Sequence, residues 1–299
     1  MNQFIHKVRV FLEMIKFEHT VFALPFAYLG YIFGAGGEIY LPTVGWITLV
    51  MASARTAGMC LNRLCDVDVD AKNPRTRGRA LVTGALSQKF AAGAIAVSFI
   101  LLFIGVWQLP PICLRLLPVA VVLLVAYHYM KRFTVLCHFG AGLVLACAPM
   151  GGWLAATGRF EPGAWALSLG VMLWVAGFDM FYSLQDADFD RSARLYSIPA
   201  RYGEEIALKA AAWAHTGVLI LFVTVGIMVH LGPIYWVAIG AAAGLLVFEH
   251  FLVRQDREKY VNAAFFTLNG IMSLVFCTLA AFSMPLKFVG AAVPLVMAQ

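Results

Sequence analysis

An all-α protein threaded many times through a lipid bilayer is the fold class this sequence predicts, and three observations predict it. Hydrophobic residues make up 62% of the 299 and charged residues 13%, where a soluble domain carries about 45–50% and about 25%. The apolar residues gather into stretches of about 20, the length a helix needs to cross a bilayer. Lys and Arg then crowd onto one set of alternating connections, as they do on cytoplasmic loops. Mean hydropathy, at +0.82, agrees.

Nine spans are expected, over residues 17–35, 43–64, 90–109, 112–130, 135–156, 163–185, 208–230, 233–253 and 263–283. They form a single domain, 1–299: two similar four-helix units plus a ninth helix, around a central cavity. The stretch before the first span (MNQFIHKVRVFLEMIKFEHT) is amphipathic and charged, unlike a cleavable signal. Connections on one side are short and built from Gly or Pro, at 34–37, 110–111, 157–158 and 232–233. The tail from Pro285 to Gln299 is apolar but short, and is expected at the membrane interface.

The other side holds 17 of the 22 basic residues. They are Lys7, Arg9 and Lys16; Lys72, Arg75, Arg77, Arg79 and Lys89; Lys131 and Arg132; Arg191, Arg194, Arg201 and Lys209; Arg254, Arg257 and Lys259. This side, with the N-terminus, is expected to be cytoplasmic, and nine spans put the C-terminus outside. The net charge of +6 is accounted for by basic loops beside anionic lipid, with no nucleic-acid partner needed. Cys60, Cys65, Cys113, Cys137, Cys147 and Cys277 form no CxxC pair and are expected as small apolar fillers.

The chemistry sits where apolar runs end. Asn62, Asp66 and Asp70 recur every four residues, which on a helix or its frayed end puts their oxygens on one face. Tyr182, Asp186 and Asp190 repeat that spacing, each 120 residues after its counterpart. Asp179 and Asp186 lie two helical turns apart on one face. Carboxylates near membrane depth need a compensating cation, and hard oxygens in this number suit Mg²⁺, which binds one or two carboxylates and bridges to phosphate. Two Mg²⁺ sites gripping a diphosphate are therefore expected, held by Asp66, Asp70, Asp186 and Asp190; Asp68 and Asp188 are their unassigned neighbours. Arg75, Arg77 and Arg79 flank the first cluster as phosphate contacts. Arg55, seven residues before Asn62, shares its helix face, and an intramembrane arginine faces a cavity or a partner. Lys131 and Arg132 close the fourth span one turn after Tyr127, and Lys16, Glu18 and His19 stand at the rim of the first. His128, His138, His215, His230 and His250 show no spacing that suggests a metal site and are expected to pack. A cation transporter is the rival reading, but transporters place their sites near the bilayer midplane.

Together these residues resemble the UbiA superfamily of intramembrane prenyltransferases, over nearly the whole chain. Arg55, Gly58, Asn62, Asp66, Asp70, Arg75, Thr76 and Arg79 are similar to its first signature, and Asp179, Tyr182, Asp186 and Asp190 to its second. Tyr127-x-x-Met130-Lys131-Arg132-x-Thr134 is similar to its central segment, and Lys16 to His19 occupy its first-helix basic position. The resemblance implies a Mg²⁺-dependent transfer of a polyprenyl group from polyprenyl diphosphate to an aromatic acid acceptor on a ubiquinone or menaquinone pathway. Asp66, Asp70, Asp186, Asp190 and Lys131 would be catalytic. Lys16, Arg55, Asn62, Arg75, Arg79, Tyr127, Arg132, Asp179 and Tyr182 would bind substrate, in the inner membrane of a bacterium. Two departures bear on the acceptor: Arg63 stands where many 4-hydroxybenzoate enzymes of the family carry aspartate, and Ala80 where they carry proline. The Asn-Arg-x-x-Asp form looks more like a menaquinone-associated bacterial subgroup. A naphthoate, a porphyrin or a lipid remains the alternative acceptor.

Overall fold

The computed structural model describes residues 2–16 and 23–290, apart from the side chains of 2–6, 257, 258 and 263. Helix α1 (Asn2–Ile15) is amphipathic and ends at Lys16, in left-handed backbone with φ 50°. Helix α2 (Leu24–Gly34) leads into a two-residue strand, β1 (Glu38–Ile39). The long α3 (Leu41–Cys65) is followed by the single-turn α4 (Val67–Asp70) and a turn-rich stretch to residue 87. Then come α5 (Gln88–Trp107), α6 (Pro111–Met130), α7 (Cys137–Thr157) and α8 (Pro162–Ser183). A 3₁₀ turn (Leu184–Asp186), α9 (Ala187–Ser192) and α10 (Ile198–Tyr202) precede α11 (Glu204–Met228) and α12 (Pro233–Gln255). Helix α13 (Arg257–Asn262) runs through a π-turn (Ala263–Leu268) into α14 (Asn269–Ala281), and β2 (Lys287–Phe288) follows.

Among the described residues eight helical stretches are long and apolar enough to cross a bilayer. The expected count of nine is neither reached nor contradicted among the described residues. The first expected span, 17–35, corresponds to the 11-residue α2, while residues 17–22, with Glu18 and His19, lie outside the described residues. The other eight expected spans match helices to within a few residues. Helices α3, α6, α8 and α12 each begin with proline at the end remote from the acidic clusters, where a missing N–H is no loss and the fixed φ suits the first turn.

Helix α8 is the central post. Buried residues make up 72% of its apolar window, against 11% for α6, which faces outward. Within a bilayer, helices gain little from the hydrophobic effect and associate through close packing and interior hydrogen bonds. Both devices are present. A Cβ at Gly152 would stand 1.9 Å from Ala27 O, and one at Gly142 would stand 2.3 Å from Met172 O, so α2–α7 and α7–α8 approach at backbone distance. Phe26, Trp174, Phe222 and Phe276 stack in the core. Beside them Trp174 Nε1 donates to Asn269 Oδ1 at 2.7 Å, and Asn269 Nδ2 donates to the buried Glu249 at 2.8 Å and to Ala264 O in the π-turn at 2.9 Å.

The ends of the bundle differ. At the acidic end, Met14 and Ile15 of α1 pack with Cys60, Leu81 and Leu86. At the far end, β1 pairs in parallel with β2, Glu38 opposite Lys287. The described chain therefore begins at the acidic end and finishes at the opposite one.

Candidate functional site

Both acidic clusters are made by the same backbone break. Asp66 caps α3 with φ −104°, ψ 8°, and Asp186 ends the 3₁₀ turn after α8 with φ −103°, ψ 2°. That bridge conformation halts each long helix and restarts a short one, α4 or α9. The short helices sort their aspartates by burial: Asp70, Asp186 and Asp190 are buried while Asp68 and Asp188 are exposed. Asp188 spends its charge on Arg191, 2.9 Å away at the surface.

Each inward carboxylate is matched to a base. Arg79 Nη1 donates to both oxygens of Asp70 at 2.6 Å. Arg75 grips Asp186 with both limbs of its fork, Nε donating to Oδ1 at 2.9 Å and Nη2 to Oδ2. Its Nη1 donates to the Tyr182 hydroxyl at 2.9 Å, with the guanidinium 5.1 Å from that ring's centroid. Asn73 Nδ2 adds a bond to Asp186 Oδ1 at 2.9 Å. Lys131 Nζ stands 2.9 Å from Asp190 Oδ1. Arg132 Nη2 lies 3.6 Å from Asp66 Oδ1 and donates to Cys65 O at 2.6 Å. Asn62 Nδ2 donates to Asp66 Oδ2 at 3.4 Å.

These contacts bring the two clusters to one place. Asn73 and Arg75, from the turn after the first, close on Asp186 and Tyr182 of the second, while Lys131 acts electrostatically on Asp66, Asp186 and Asp190. Burial, with the charge of Asp70 second, pushes the Asp66 carboxyl above the usual carboxylate range, against the pull of Arg132 and Lys131. Burial alone would lower the Lys131 ammonium, but Asp190 outweighs it and holds the charge above its ordinary range. Asp186 does the same for Arg75.

One step deeper, Tyr127 lies within the electrostatic reach of Arg55, Arg63, Asp66 and Asp179. Asp179 accepts from His138: Nδ1 stands 2.7 Å from Asp179 Oδ2. His138 is buried, as expected of a packed or interfacial histidine, and the structure adds this pair. Its partner lies 41 residues away on another helix, beyond any spacing rule. Asn73 was likewise not anticipated; a polar residue in a turn gives no hint of the carboxylate it will meet. Lys16, expected at the site, makes no side-chain hydrogen bond or ion pair among the described residues. The remaining expected residues, Asn62, Asp66, Asp70, Arg75, Arg79, Tyr127, Lys131, Arg132, Asp179, Tyr182, Asp186 and Asp190, gather around the acidic end of α3, α6 and α8, with Arg55 further along α3, within electrostatic reach of Tyr127.

The donor set fits Mg²⁺ held jointly with a diphosphate. Asp70, Asp186 and Asp190 are buried and Asp66 is half-buried at this end, and among the described residues no three acidic, His or Cys side chains are grouped closely enough to hold a metal by themselves. Mg²⁺ requires only one or two protein carboxylates when phosphate oxygens and water complete its shell.

The sequence profile described as the UbiA prenyltransferase family matches residues 23–271. A 4-hydroxybenzoate octaprenyltransferase from Alkalilimnicola ehrlichii is 30% identical over 223 residues, covering 74% of this chain and 75% of that protein. Among solved structures, the apo form of a UbiA homologue from Aeropyrum pernix superposes with TM-score 0.81 at 33% identity, covering 88% of this chain and 96% of that one. A UbiA homologue from Archaeoglobus fulgidus, solved with GPP and Mg²⁺, reaches TM-score 0.72 over 92% of this chain and 99% of its own; at 21% identity it speaks for the fold.

Proposed function

This chain belongs to the UbiA prenyltransferase family, and from that premise we propose that it transfers a polyprenyl group from polyprenyl diphosphate to an aromatic acid of the 4-hydroxybenzoate type. The observation that carries the reading is the meeting of two matched aspartate turns at one end of the bundle, each inward carboxylate set beside a base. Bound Mg²⁺, held by Asp66, Asp70, Asp186 and Asp190, would neutralise diphosphate oxygens and so favour their departure.

The chain's own residues do the rest. When the bond between the allylic carbon and the diphosphate oxygen breaks, its electron pair stays on oxygen. Lys131, Arg75 and Arg79 are the charges placed to receive it, and positioned cations act most strongly where charge develops. The ring carbon ortho to the acceptor's hydroxyl then forms the new carbon–carbon bond, and its proton leaves as aromaticity returns. Arg55 holds the acceptor's carboxylate and Asp179 accepts from its hydroxyl, which orients the ring toward the diphosphate; Tyr127 and Tyr182 line the space between. The apolar surroundings exclude water that would otherwise capture the allylic centre.

The chain is a multi-pass membrane protein. The basic residues of the acidic end support a bacterial inner-membrane placement with the site cytoplasmic. The opposite positions of the two described ends of the chain support an N-terminus inside and a C-terminus outside. The product enters quinone biosynthesis, by a ubiquinone or a menaquinone route.

The test uses membranes containing the protein, Mg²⁺, a radiolabelled polyprenyl diphosphate and a panel of aromatic acids. Prenylated 4-hydroxybenzoate that disappears with EDTA, with Asp66→Ala and with Asp186→Ala is expected. Transfer only to a naphthoate, a porphyrin or a lipid would keep the site and replace the acceptor. No transfer to any acceptor would overturn the reading.

A further inference from the structure

The segment after the second aspartate turn is fastened residue by residue. Tyr196 N donates to Lys131 O at 2.7 Å, and Cys137 Sγ donates to Tyr196 O at 3.3 Å. Ser197 Oγ donates to Asp190 Oδ2 at 3.1 Å, and Ile198 N donates to His138 Nε2 at 3.2 Å. Ser197 is fully buried and also caps α10 by accepting from Ala200 N. His138, 1% exposed, also bonds to α8, through its 2.7 Å contact to Asp179.

The backbone donor assigns the ring's tautomer. Because Ile198 N–H points at Nε2, that nitrogen accepts and carries no proton. The proton sits on Nδ1 and is donated to Asp179 Oδ2. The Asp179 side chain is 31% exposed while its histidine is buried, so His138 fixes the carboxylate from behind and leaves it open on its other side. A hydrogen bond from a fixed donor to a carboxylate orients it as well as stabilising it.

We infer that His138 is a positioning residue of two-sided action: through Nδ1–H it aims Asp179 at the acceptor's hydroxyl, and through Nε2 it anchors the Ser197–Ile198 turn that holds Asp190. The inference rests on the prenyl-transfer reading for the meaning of its kinetic effects. One imidazole thus links the acceptor side of the site to its diphosphate side, although it touches neither substrate.

The two nitrogens are separable by substitution. The amide of His138→Asn overlays Nδ1 and keeps a donor for Asp179, while losing the Ile198 bond. The amide of His138→Gln reaches the Nε2 position and keeps an acceptor for Ile198, while losing the donor. Initial rates are measured in membranes with the aromatic acid and the polyprenyl diphosphate varied separately. His138→Gln is expected to raise KM for the aromatic acid about tenfold, the scale of one hydrogen bond to a charged group, with KM for the diphosphate held. His138→Asn is expected to do the reverse. Adding His138→Gln to Asp179→Asn should produce no further change on the acceptor side. If both variants lower only the amount of folded enzyme, or raise both KM values together, His138 is a packing residue and the inference fails.

A second readout needs no turnover. ¹⁵N spectra of the histidine-labelled wild type should contain an Nδ1–H tautomer resonance that disappears in both His138 variants and shifts in Asp179→Asn. Its absence overturns the inference even if the wild type transfers prenyl groups. Its presence in a protein that transfers none leaves the His138 geometry standing and removes the prenyl-transfer reading.

Discussion

The two aspartate turns share a backbone conformation to within a few degrees at Asp66 and Asp186, yet they are supported in opposite ways. The first carries its own cations. Asn73, Arg75 and Arg79 follow it within ten residues, and two of the three reach across to the other turn. The second contributes no inward base: its arginine, Arg191, pairs with the exposed Asp188. It is held instead by a polar clasp of Ser197, Lys131 and the His138 corner. Duplicated carboxylates have therefore taken different duties, one turn bringing charge to the site and the other giving it a fixed floor.

Breaking the second turn should show the largest effect. Asp186→Ala removes a carboxylate and releases Arg75, Asn73 and Tyr182 together, so transfer measured by product formation should fall by about 10³-fold, the upper range for loss of a main electrostatic group. The arginines sharpen the contrast. Arg75→Lys cannot reproduce a fork shared between Asp186 and Tyr182, and should lower kcat/KM by about 10²-fold. Arg79→Lys, which replaces a single donating nitrogen, should cost about fivefold. A reversed order would mean that the crossing arginine is not the one that matters.

Acidity is shifted in both turns, since burial raises Asp190 as well as Asp66. The Asp66 carboxyl is raised by burial and by Asp70, so it takes up a proton at a pH where an ordinary carboxylate would stay charged. Mg²⁺ competes for the charged form. The half-saturating Mg²⁺ concentration should therefore rise as pH falls toward the raised range. In the metal-free protein the sign is opposite: the folded state binds the proton more readily than the unfolded chain, so this group's contribution to stability declines as pH rises. Melting curves with and without Mg²⁺ would show both trends. The smallest effect is Ser197→Ala, which loses an N-cap and one bond to Asp190. It should lower stability by about 1 kcal/mol, seen as a modest fall in Tm, with activity reduced a few-fold.

Much of this was legible in the chain because it is local. Spacing by four put Asp66 with Asp70, and Asp186 with Asp190, on one face each, while Asp68 and Asp188 stayed unassigned until the structure showed them exposed. Apolar length located eight helices well. What could not be read is what the fold brings together over distance. Nothing local says that Arg75 serves Asp186, 111 residues away, while Arg79 serves its own Asp70. The His138–Asp179 pair and the Trp174–Asn269–Glu249 chain fail for the same reason. The first expected span is described only over the 11-residue helix α2, about 17 Å long, because residues 17–22 lie outside the described residues.

The four ion pairs at the acidic end carry one further consequence. Asp66, Asp70, Asp186 and Asp190 are paired with Arg132, Arg79, Arg75 and Lys131 one for one. On the proposed reading, loading a magnesium diphosphate would be an ion exchange: the carboxylates would hold the metal, and the bases they release would hold the phosphate. Binding should accordingly depend on metal and diphosphate together, each drawing in the other, with little uptake of either alone.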